Sequence, residues 1–374
     1  MTGYLLRQHW AGRKRFPLVL MLEPLHACNL RCAGCGRVRE YADTLAQRMS
    51  VEECLDAVEE CGAPVVSVCG GEPLVYQGIE QLVEKLVARR KHVYLCTNGL
   101  LLEEKLGGFR PSSRMMLNVH LDGMESTHDR AAGRSGVFQQ AVAGIVAAKR
   151  AGFLVFTNTT IYRQTDVHEI AVLFEYLTQL GVDGFMVSPA YGYEAVRNDR
   201  AFRVQGSGFR IQEKNRELKI EDCELQIDEP QTVNPEPRTL NPEPSFSDGD
   251  VLFMTRQEVH AKFRAGRPLW SRFRLVASPV YLDFLCGRRA LPCAAWANPT
   301  RNVRGWKGPC YLVTDRHYAT YRELVELTGW DRLGPGGDPR CRHCLVHCGF
   351  EPAAVFAANR RLRDVLAMAV WQMT

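Results

Sequence analysis

Residues 18–35 read LVLMLEPLHACNLRCAGC, an apolar run followed by three closely spaced cysteines. The five apolar residues at its start predict a strand buried on both faces, because such strands carry near-continuous apolar runs. Cys28, Cys32 and Cys35 come after this strand, on a loop that contains glycine and is therefore pliable. A strand followed by a cysteine loop places the thiols at one end of the predicted sheet.

The spacing of these three cysteines indicates an iron–sulfur site. Each thiolate of Cys28, Cys32 and Cys35 can bind one iron of a 4Fe–4S cluster. The fourth iron then lacks a protein ligand and stays open to a small molecule, just as a catalytic zinc keeps one position free. A structural zinc is the alternative, since His26 offers a fourth ligand nearby.

The composition is that of a globular protein that uses thiols. The chain of 374 residues has 14 cysteines and 46 % hydrophobic residues, which suffices for a large core. Its net charge of +5 is too small to indicate binding to nucleic acid. The N-terminal residues lack the apolar core of a secretion signal, so we expect a cytoplasmic protein whose thiols are kept for metal or redox work.

Residues 1–17 predict a short N-terminal helix that mixes Leu5, Leu6 and Trp10 with basic residues. An ordinary amphipathic surface helix explains this pattern. The alternative is a helix that lies peripherally on the inner face of the membrane. No window of about 18 consecutive apolar residues predicts a membrane span.

Short apolar runs alternate with helical patterns throughout residues 18–197. This rhythm predicts an α/β fold of parallel strands joined by crossover helices, in the form of a partial (β/α)6 barrel with its site at the carboxyl ends of the strands. The predicted strands are Leu18 to Leu22, Val65 to Cys69, Val93 to Cys96, Met115 to Leu121, Leu154 to Thr160 and Gly184 to Ser188. The predicted helices lie near 51–61, 78–90, 136–151 and 167–180.

Alternation along the strands predicts which side chains face a polar cavity. On the fourth strand, Asn118, His120 and Asp122 share one face and apolar residues share the other. The alternative is that such polar groups only satisfy one another inside the barrel. On the other strands the same parity groups Tyr94 with Cys96 and Asn98, Phe156 with Asn158 and Thr160, and Met186 with Ser188.

Residues 198–254 interrupt the rhythm of strands and helices. Short motifs recur there with a period of seven residues, as in NPEP at 234–237 and again at 241–244. The prolines exclude a coiled coil, so we predict a disordered low-complexity insertion, with a dedicated binding segment as the alternative. Residues 255–374 then predict a smaller cysteine-rich C-terminal module, which ends in a helix from Ala353 to Trp371.

The C-terminal module contains a second candidate metal site. Its cysteines fit an auxiliary iron–sulfur cluster, or a zinc site completed by His343 or His347, and spacing alone does not choose between the two. The candidate ligands are Cys293, Cys310, Cys341, Cys344 and Cys348.

The triplet and several later motifs resemble the radical S-adenosylmethionine (SAM) enzymes. The shared motifs are GGEP at 70–73, LDG at 121–123, HD at 128–129 and GRSGVF at 133–138. Gly34 departs from the pattern, since most such loops carry an aromatic residue there. A finer resemblance, to the adenosylhopane synthases of bacterial hopanoid biosynthesis, covers nearly the whole chain except the insertion. It rests on residues 22–37, YLCTNG at 94–99, NPTRNV at 298–303, GPCYL at 308–312 and DPRCRHCLVHCGFEP at 338–352.

The resemblance implies a reaction and a set of cofactor contacts. SAM would bind the open iron and be cleaved with one electron from a flavodoxin- or ferredoxin-type donor. The resulting 5'-deoxyadenosyl radical would add to the alkene of diploptene, a pentacyclic triterpene. The implied contacts of the SAM methionine amine are Gly70, Gly71, Glu72 and Pro73; the predicted nucleoside contacts are Asn118, Asp122, Asn158 and Ser188, with Asp122 at the ribose hydroxyls.

Cys96 is predicted to complete this reaction. Addition to the alkene leaves a tertiary carbon radical, and a thiol is a good hydrogen-atom donor. Cys96 is expected to face the cavity at the end of the third strand. The alternative role is that of a small buried apolar residue, as for most free cysteines.

Two rival functions follow from the same sequence. One is a peptide-modifying radical enzyme with an auxiliary-cluster domain, and the other is an inactive, metal-stabilised binding module. An apolar cavity favours a hydrocarbon, whereas an open polar groove favours a peptide. The predicted apolar lining comprises Tyr94, Phe156 and Met186, with Trp296 or Trp306.

Overall fold

The computed structural model of this chain describes residues 2–197, 252–358 and 362–373. The predicted low-complexity insertion, apart from its last three residues, and Cys223 within it therefore lie outside the described residues. Within those ranges, no helix is both long and apolar enough to cross a membrane.

Nine strands of the described chain form one sheet. They are β1 (Val19–Glu23), β2 (Val65–Val68), β3 (His92–Thr97), β4 (Met115–His120), β5 (Leu154–Ile161), β6 (Gly184–Pro189), β7 (Thr300–Asn302), β8 (Gly305–Pro309) and β9 (Thr314–Tyr318). Their order is β6-β5-β4-β3-β2-β1-β7-β8-β9. The first six strands pair in parallel with their neighbours in sequence, which confirms the predicted α/β class and partial barrel.

Helices connect these strands and surround them. They are α1 (Thr2–Trp10), α2 (Arg37–Glu40), α3 (Val51–Cys61), α4 (Ile79–Ala88), α5 (Leu102–Lys105), α6 (Glu125–Ala132), α7 (Val137–Arg150), α8 (Val167–Gln179), α9 (Glu194–Arg197), α10 (Arg256–Trp270), α11 (Pro279–Leu285), α12 (Tyr321–Leu327), α13 (His347–Ala358) and α14 (Leu362–Met373). Short 3₁₀ turns lie at Ala42–Thr44, Pro73–Val75, Leu106–Gly108, Ala295–Ala297, Trp330–Arg332 and Pro339–Cys341.

Local sequence signals explain the main helices. A reciprocal capping box between Ser50 and Glu53 starts α3, and the left-handed Gly62 ends it. Cys54 and Cys61 are buried on the apolar face of this helix, as expected for structural cysteines.

Side chains alternate between the two faces of each strand, so that one face packs in the core and the other faces the candidate site. Leu117, Val119 and Leu121 are fully buried in the hydrophobic core, as their parity predicts. The opposite face of β4 carries polar side chains. The register aligns Asn118 with Cys96 on β3 and His120 with Asn158 on β5, so the predicted polar residues share one face at the carboxyl ends of the strands.

The C-terminal module continues the same sheet. β7 pairs in parallel with β1, and β8 and β9 follow as antiparallel strands. The sequence did not predict them because β7 has three residues, β8 contains glycine and proline, and β9 is polar. Of the helix predicted over 353–371, the structure describes α13, which already begins at His347, and α14, and residues 359–361 lie outside the described residues.

Candidate functional site: a cysteine loop and a cysteine-lined cavity

The cysteine loop follows β1 and lies against neighbouring elements. Cys28 and Cys32 are half-buried and Cys35 is exposed. The backbone N–H of Cys35 donates to the Cys32 carbonyl at 3.1 Å, and Ala33 N–H donates to the carbonyl of Ala131, at the end of α6, at 2.9 Å. These bonds fix the curvature of the loop and keep its thiols together.

The three thiols interact electrostatically. Burial raises the pKa of the Cys28 thiol to about 12, with Glu72 and Cys35 adding to the effect. Burial and then the nearby Cys35 and Cys28 raise the pKa of Cys32 in the same way. Thiolates are unstable here without a positive charge, which bound iron supplies, so this donor set fits a metal centre.

The thiols do not form a site for a single ion. No three His, Cys, Asp or Glu side chains of the described residues are arranged to hold one metal ion. A four-iron cluster does not require such convergence, because each thiolate binds a different iron. The geometry is therefore compatible with the cluster expected at Cys28, Cys32 and Cys35.

Gly34 occupies a position where most such loops carry an aromatic residue, and the structure explains the difference by the space available. A Cβ at Gly34 would lie 2.3 Å from the hydroxyl oxygen of Tyr162, which follows β5. Tyr162 thus brings an aromatic ring from another strand against this part of the loop. No sequence pattern predicts this contact, because the two residues are far apart in the chain.

The glycine turn after β2 packs directly on the cysteine loop. Gly70 has a φ of +115°, and a Cβ there would lie 2.4 Å from the Leu25 carbonyl oxygen. A Cβ at Gly71 would lie 1.8 Å from the carbonyl oxygen of Ala27. Glycine is therefore required at both positions, and the predicted SAM turn lies beside the thiols, with Pro73 buried at the start of the following 3₁₀ turn.

Glu72 stabilises this turn. Its carboxylate accepts hydrogen bonds from the Thr97 hydroxyl at 2.7 Å and from the backbone N–H groups of Asn98 and Leu74 at 2.8 and 3.0 Å. Burial nevertheless raises the pKa of Glu72. These bonds connect the glycine turn to the end of β3, and Asn98 in turn contacts the cysteine loop through a 2.7 Å bond to Asn29.

A buried polar cluster lies at the ends of β4 and β5. Asp122 bonds to the His120 ring at 2.9 Å and accepts from the backbone N–H of Thr160 at 2.8 Å. His120 contacts the Asn158 amide at 3.3 Å. Although burial opposes ionisation, the pair lowers the pKa of Asp122 and raises that of His120. His128 joins the cluster by accepting from Asp122 N–H at 3.1 Å.

Several polar atoms of this face lack partners. Within the described part of the chain, the buried side-chain oxygens of Asn118 and Asn158 and the Nε2 of His128 make no hydrogen bond. Buried polar atoms are normally paired in proteins. Their presence beside the cysteine loop fits a polar ligand, and His128 is a candidate contact that the sequence offered only as part of the HD motif.

Cys96 lies on this face, as its parity predicts. Its sulfur is 3.3 Å from the Ser67 hydroxyl and 3.6 Å from the Asn118 amide nitrogen. Burial raises the pKa of the Cys96 thiol, so the S–H form is retained at neutral pH. Tyr94, two residues before Cys96, lies on the same face of β3. Its ring packs edge-on against the ring of Phe156, and the two ring centroids are 6.4 Å apart.

Both tryptophans proposed for the cavity lie elsewhere. Trp306 is fully buried, packs on Tyr321 and donates to Glu60 of α3 at 2.9 Å. Trp296 stacks on Phe356 of α13. Their assignment to the apolar lining was wrong, because each ring fills space between helices rather than beside Tyr94.

Ser188 connects the barrel to the C-terminal module. Its hydroxyl lies 3.1 Å from Nδ1 of His347 on α13. Burial lowers the pKa of His347 to about 4, so the ring is neutral at physiological pH. Ser188 thus contacts α13 and has no described bond to Asp122 or Asn158, and its nucleoside contact stays a prediction.

The second group of cysteines converges on one cavity. The cavity has a volume of about 30 Å³, and neither His343 nor His347 lines it. Its other walls include Tyr191, Leu333 and Phe350. The cysteines that line it are the five predicted ones, Cys293, Cys310, Cys341, Cys344 and Cys348.

Comparison with known families identifies two regions. Residues 22–177 match the model of the Radical SAM superfamily, and residues 240–368 match a domain of unknown function, DUF3463. The first match covers the strands and loops that carry the triplet and the glycine turn.

Relatives of known name match the barrel region. The AdoMet-dependent heme synthase of Methanosarcina barkeri is 30 % identical over 176 residues, which cover 46 % of this chain and 50 % of that protein. The GTP 3',8-cyclase of Geobacter sulfurreducens is 35 % identical over 141 residues, or 36 % of this chain and 43 % of that one. The matches thus span half or less of these relatives.

A solved structure shares the fold over a longer stretch. The enzyme anSMEcpe with bound AdoMet superposes with a TM-score of 0.51 and 14 % identity, over 94 % of this chain and 98 % of that one. The strand order and the cysteine loop agree with the match of residues 22–177 to the Radical SAM superfamily, whose members bind a 4Fe–4S cluster and SAM, and this match supports membership of that superfamily.

Proposed function

We propose that this chain is a transferase that joins the 5'-deoxyadenosyl group to the alkene of diploptene through a new carbon–carbon bond, giving adenosylhopane. The observation that carries the proposal is the position of the Cys96 thiol. It lies on the same face of the sheet as the buried polar cluster around Asp122 and as the Tyr94–Phe156 pair. A reductive addition to a hydrocarbon needs a hydrogen-atom donor beside an apolar surface that contacts the hydrocarbon. The resemblance of residues 22–37 and 338–352 to adenosylhopane synthases supports the same substrate.

The cofactors would be held by the loop after β1 and the turn after β2. Cys28, Cys32 and Cys35 would each bind one iron, leaving the fourth for SAM. When bound, the cluster supplies the electron that splits SAM into methionine and the 5'-deoxyadenosyl radical. The close packing of Gly71 on Ala27 would bring the SAM amine within reach of the turn backbone.

The unpartnered oxygens of Asn118 and Asn158 would accept hydrogen bonds from the nucleoside. Asp122 would accept from ribose hydroxyls, since each of its carboxylate oxygens can take a second bond. The Asp122–His120 pair holds this carboxylate in place. These contacts would orient C5' of the nucleoside toward the alkene.

Cys96 would end the reaction. Bond formation between C5' and the terminal alkene carbon leaves the unpaired electron on the tertiary carbon. The S–H bond of Cys96 then breaks as the C–H bond forms, which leaves a thiyl radical on Cys96. One electron from the flavodoxin- or ferredoxin-type donor and one proton from solvent would restore the thiol. Ser67 and Asn118 would hold the sulfur in position.

The substrate also suggests where the protein works. Diploptene resides in lipid, and α1 exposes half of Leu6 and 85 % of Trp10 beside basic residues. Such a helix can lie in a lipid headgroup layer. We therefore expect peripheral contact with the membrane that supplies the triterpene.

The five-cysteine cavity favours a second candidate function. Auxiliary iron–sulfur domains occur in peptide-modifying radical SAM enzymes, and a peptide would then replace the triterpene as substrate. The two functions differ in the chemistry of the bound molecule, so product analysis separates them.

The test is a complete reaction without oxygen. The protein is reconstituted with iron and sulfide, reduced, and given SAM and diploptene, and the products are measured by mass spectrometry. Adenosylhopane is the expected product. Release of 5'-deoxyadenosine without an adduct would reject the triterpene, and absence of both products would reject radical SAM activity.

A further inference from the structure

The three thiols of the cysteine loop are held in unequal ways. Cys28 and Cys32 are half-buried and pack in a small apolar cluster with Leu30 and Val137. Cys35 is exposed and, within the described part of the chain, belongs to no apolar cluster. A side chain without packing samples several rotamers, and holding it in one of them costs conformational entropy. The position of the Cys35 thiol therefore depends on the backbone on either side of it.

Two tyrosines contact that backbone, one on each side of Cys35. Tyr162 directly follows β5, and a Cβ at Gly34 would lie 2.3 Å from its hydroxyl oxygen and 2.7 Å from its Cε1 atom. Tyr193 lies between β6 and α9, and a Cβ at Gly36 would lie 2.6 Å from its hydroxyl oxygen. Carbon atoms in ordinary contact are about 3.5–4.0 Å apart. Each tyrosine thus occupies the space that a side chain on the loop would need.

Tyr193 also makes a hydrogen bond to the loop. Gly36 is buried, and its backbone N–H donates to the Tyr193 hydroxyl at 3.0 Å. A buried N–H that loses its acceptor destabilises the conformation that buries it. Arg39 adds a 2.8 Å bond to the Cys35 carbonyl oxygen. These two bonds fix the peptide groups next to the exposed thiol.

The two tyrosines are themselves anchored in the fold. Both belong to one apolar cluster, which also contains Ala190, Val196 and Phe253. Lys262 of α10 donates to the Tyr162 carbonyl oxygen at 3.2 Å. Because the rings are packed on the side away from the loop, they form a fixed support against which the loop rests.

The Tyr162 hydroxyl lies among the charged groups of the site. Burial raises the pKa of Tyr162 well above its ordinary value of 10.0, and Asp122, Cys32 and Cys35 add to the effect. The hydroxyl therefore keeps its proton at neutral pH. Hydrogen bonds and dipoles around the sulfurs of an iron–sulfur cluster contribute to its reduction potential. A protonated hydroxyl beside the loop can stabilise the negative charge that reduction adds.

We propose that Tyr162 and Tyr193 form a tyrosine clamp, a pair of positioning residues that hold Cys35 in place to bind its iron. The O–H group of Tyr162 also stabilises the reduced cluster. The inference rests on the cluster of the proposed function and is independent of the substrate. It explains why glycine precedes the last cysteine of the loop, since the aromatic ring at this place comes from the end of β5.

Retention of the cluster tests the tyrosine clamp. Full-length protein is reconstituted and reduced without oxygen and exposed to an iron chelator, and SAM is then added to identify the EPR signal of the triplet cluster by its shift. We expect this signal to decay at least about fivefold faster in Y162A and Y193F than in the wild type, because a support of Cys35 is lost. Wild-type decay in both variants would overturn the inference.

The matched control is Y176A. Tyr176 is a half-buried tyrosine of α8 whose ring stacks on Phe138. Its substitution removes the same number of atoms as Y162A, and we expect the wild-type rate of decay. A decay as fast as in Y162A would show a general effect of lost packing and would overturn the specific role of the tyrosine clamp.

A double substitution separates positioning from a general loss of fold. G34F alone should clash with the Tyr162 ring and lose the signal. G34F/Y162A places a ring in the same space from the loop side, so its decay should return to within about threefold of the wild type. Losses that add up in the double variant would show that the two positions do not share this space, and would overturn the inference.

The reduction potential tests the hydroxyl of Tyr162. Y162F keeps the ring and removes the O–H group, so retention of the cluster should stay near the wild-type value. The midpoint potential of the SAM-responsive signal should fall, because a group that stabilises the reduced cluster is absent. An unchanged potential would overturn the contribution of the hydroxyl.

Failure of the proposed function gives a different result. A wild-type protein without a SAM-responsive signal would reject the cluster at the triplet, and the tyrosine clamp with it. A wild-type signal that all variants retain would reject the clamp alone. Diploptene is absent from these experiments, so the identity of the substrate does not affect them.

Discussion

The sulfur of Cys96 lies 3.3 Å from the hydroxyl of Ser67 on the adjacent parallel strand. Both side chains point away from the hydrophobic core and toward the face that carries the polar cluster. A thiol held in this way keeps one orientation, and its raised pKa keeps the hydrogen on sulfur. This relationship gives the proposed hydrogen-atom transfer a defined donor.

Replacing Cys96 tests this donor directly. We expect C96A to release 5'-deoxyadenosine at near wild-type rate but to lose adenosylhopane by at least about a hundredfold, since a carbon radical without a thiol is quenched slowly or diverted. Mass spectrometry of both products measures the split. C54A, a buried cysteine of α3, is the control, and unchanged adenosylhopane in C96A would contradict the assignment.

The glycine turn gives a steric prediction. G71A should reduce SAM affinity by at least about tenfold, or about 1.4 kcal/mol, because its methyl group would clash with the Ala27 carbonyl 1.8 Å away and push the turn from the cysteine loop. G107A is the control, since a Cβ there meets no atom within 4 Å. Isothermal titration with SAM measures the difference, and equal affinities would count against the turn as a SAM contact.

The unpartnered oxygen of Asn118 gives a binding prediction. N118A should weaken SAM binding by about 1–2 kcal/mol if this oxygen accepts a hydrogen bond from the nucleoside. The matched control is T157V on β5, because Thr157 also has a buried unpartnered oxygen but alternates to the core face. Iron content should be unchanged in both variants; a similar loss of affinity in T157V would indicate a general packing effect.

Glu351 on α13 gives a pH prediction. Burial raises its pKa to about 7, although the Ser278 N–H donates to its carboxylate at 2.9 Å. The folded state therefore binds a proton that the unfolded state has released, so stability is full below the unfolded pKa near 4.5 and falls as pH rises to about 7.

E351Q removes this titration and keeps the acceptor oxygen for Ser278. Relative to the wild type, its unfolding free energy should rise by about 1–2 kcal/mol at pH 8 and change little at pH 4.5. Urea unfolding of oxygen-protected protein at the two pH values measures this. A difference that is the same at both pH values would show that Glu351 does not titrate in this range.

Regular elements could be predicted from the sequence because their physical signals are local. The helix α3 has a capping box and an amphipathic face, and it begins and ends where predicted. The parity of Asn118 and Cys96 also holds, since alternation along a strand follows from backbone geometry.

Contacts between distant segments could not be predicted in this way. The packing of Tyr162 on Gly34 and the stacking of Arg37 on Tyr311 depend on the approach of loops, for which the sequence has no periodic signal. Trp306 was assigned to the cavity on its chemistry alone, and the structure places it with α3. The cysteines of the C-terminal module could be nominated by type, but only the fold shows that all five line one cavity.

The most direct test of the radical chemistry is the EPR spectrum of the reduced C344A/C348A variant with and without SAM, since this variant lacks two of the candidate C-terminal ligands and its signal would report the cluster expected at Cys28, Cys32 and Cys35. We expect a 4Fe–4S signal that shifts when SAM is added, because one iron is open to it. Absence of an iron–sulfur signal, or a signal that SAM leaves unchanged, would contradict the assignment of this loop.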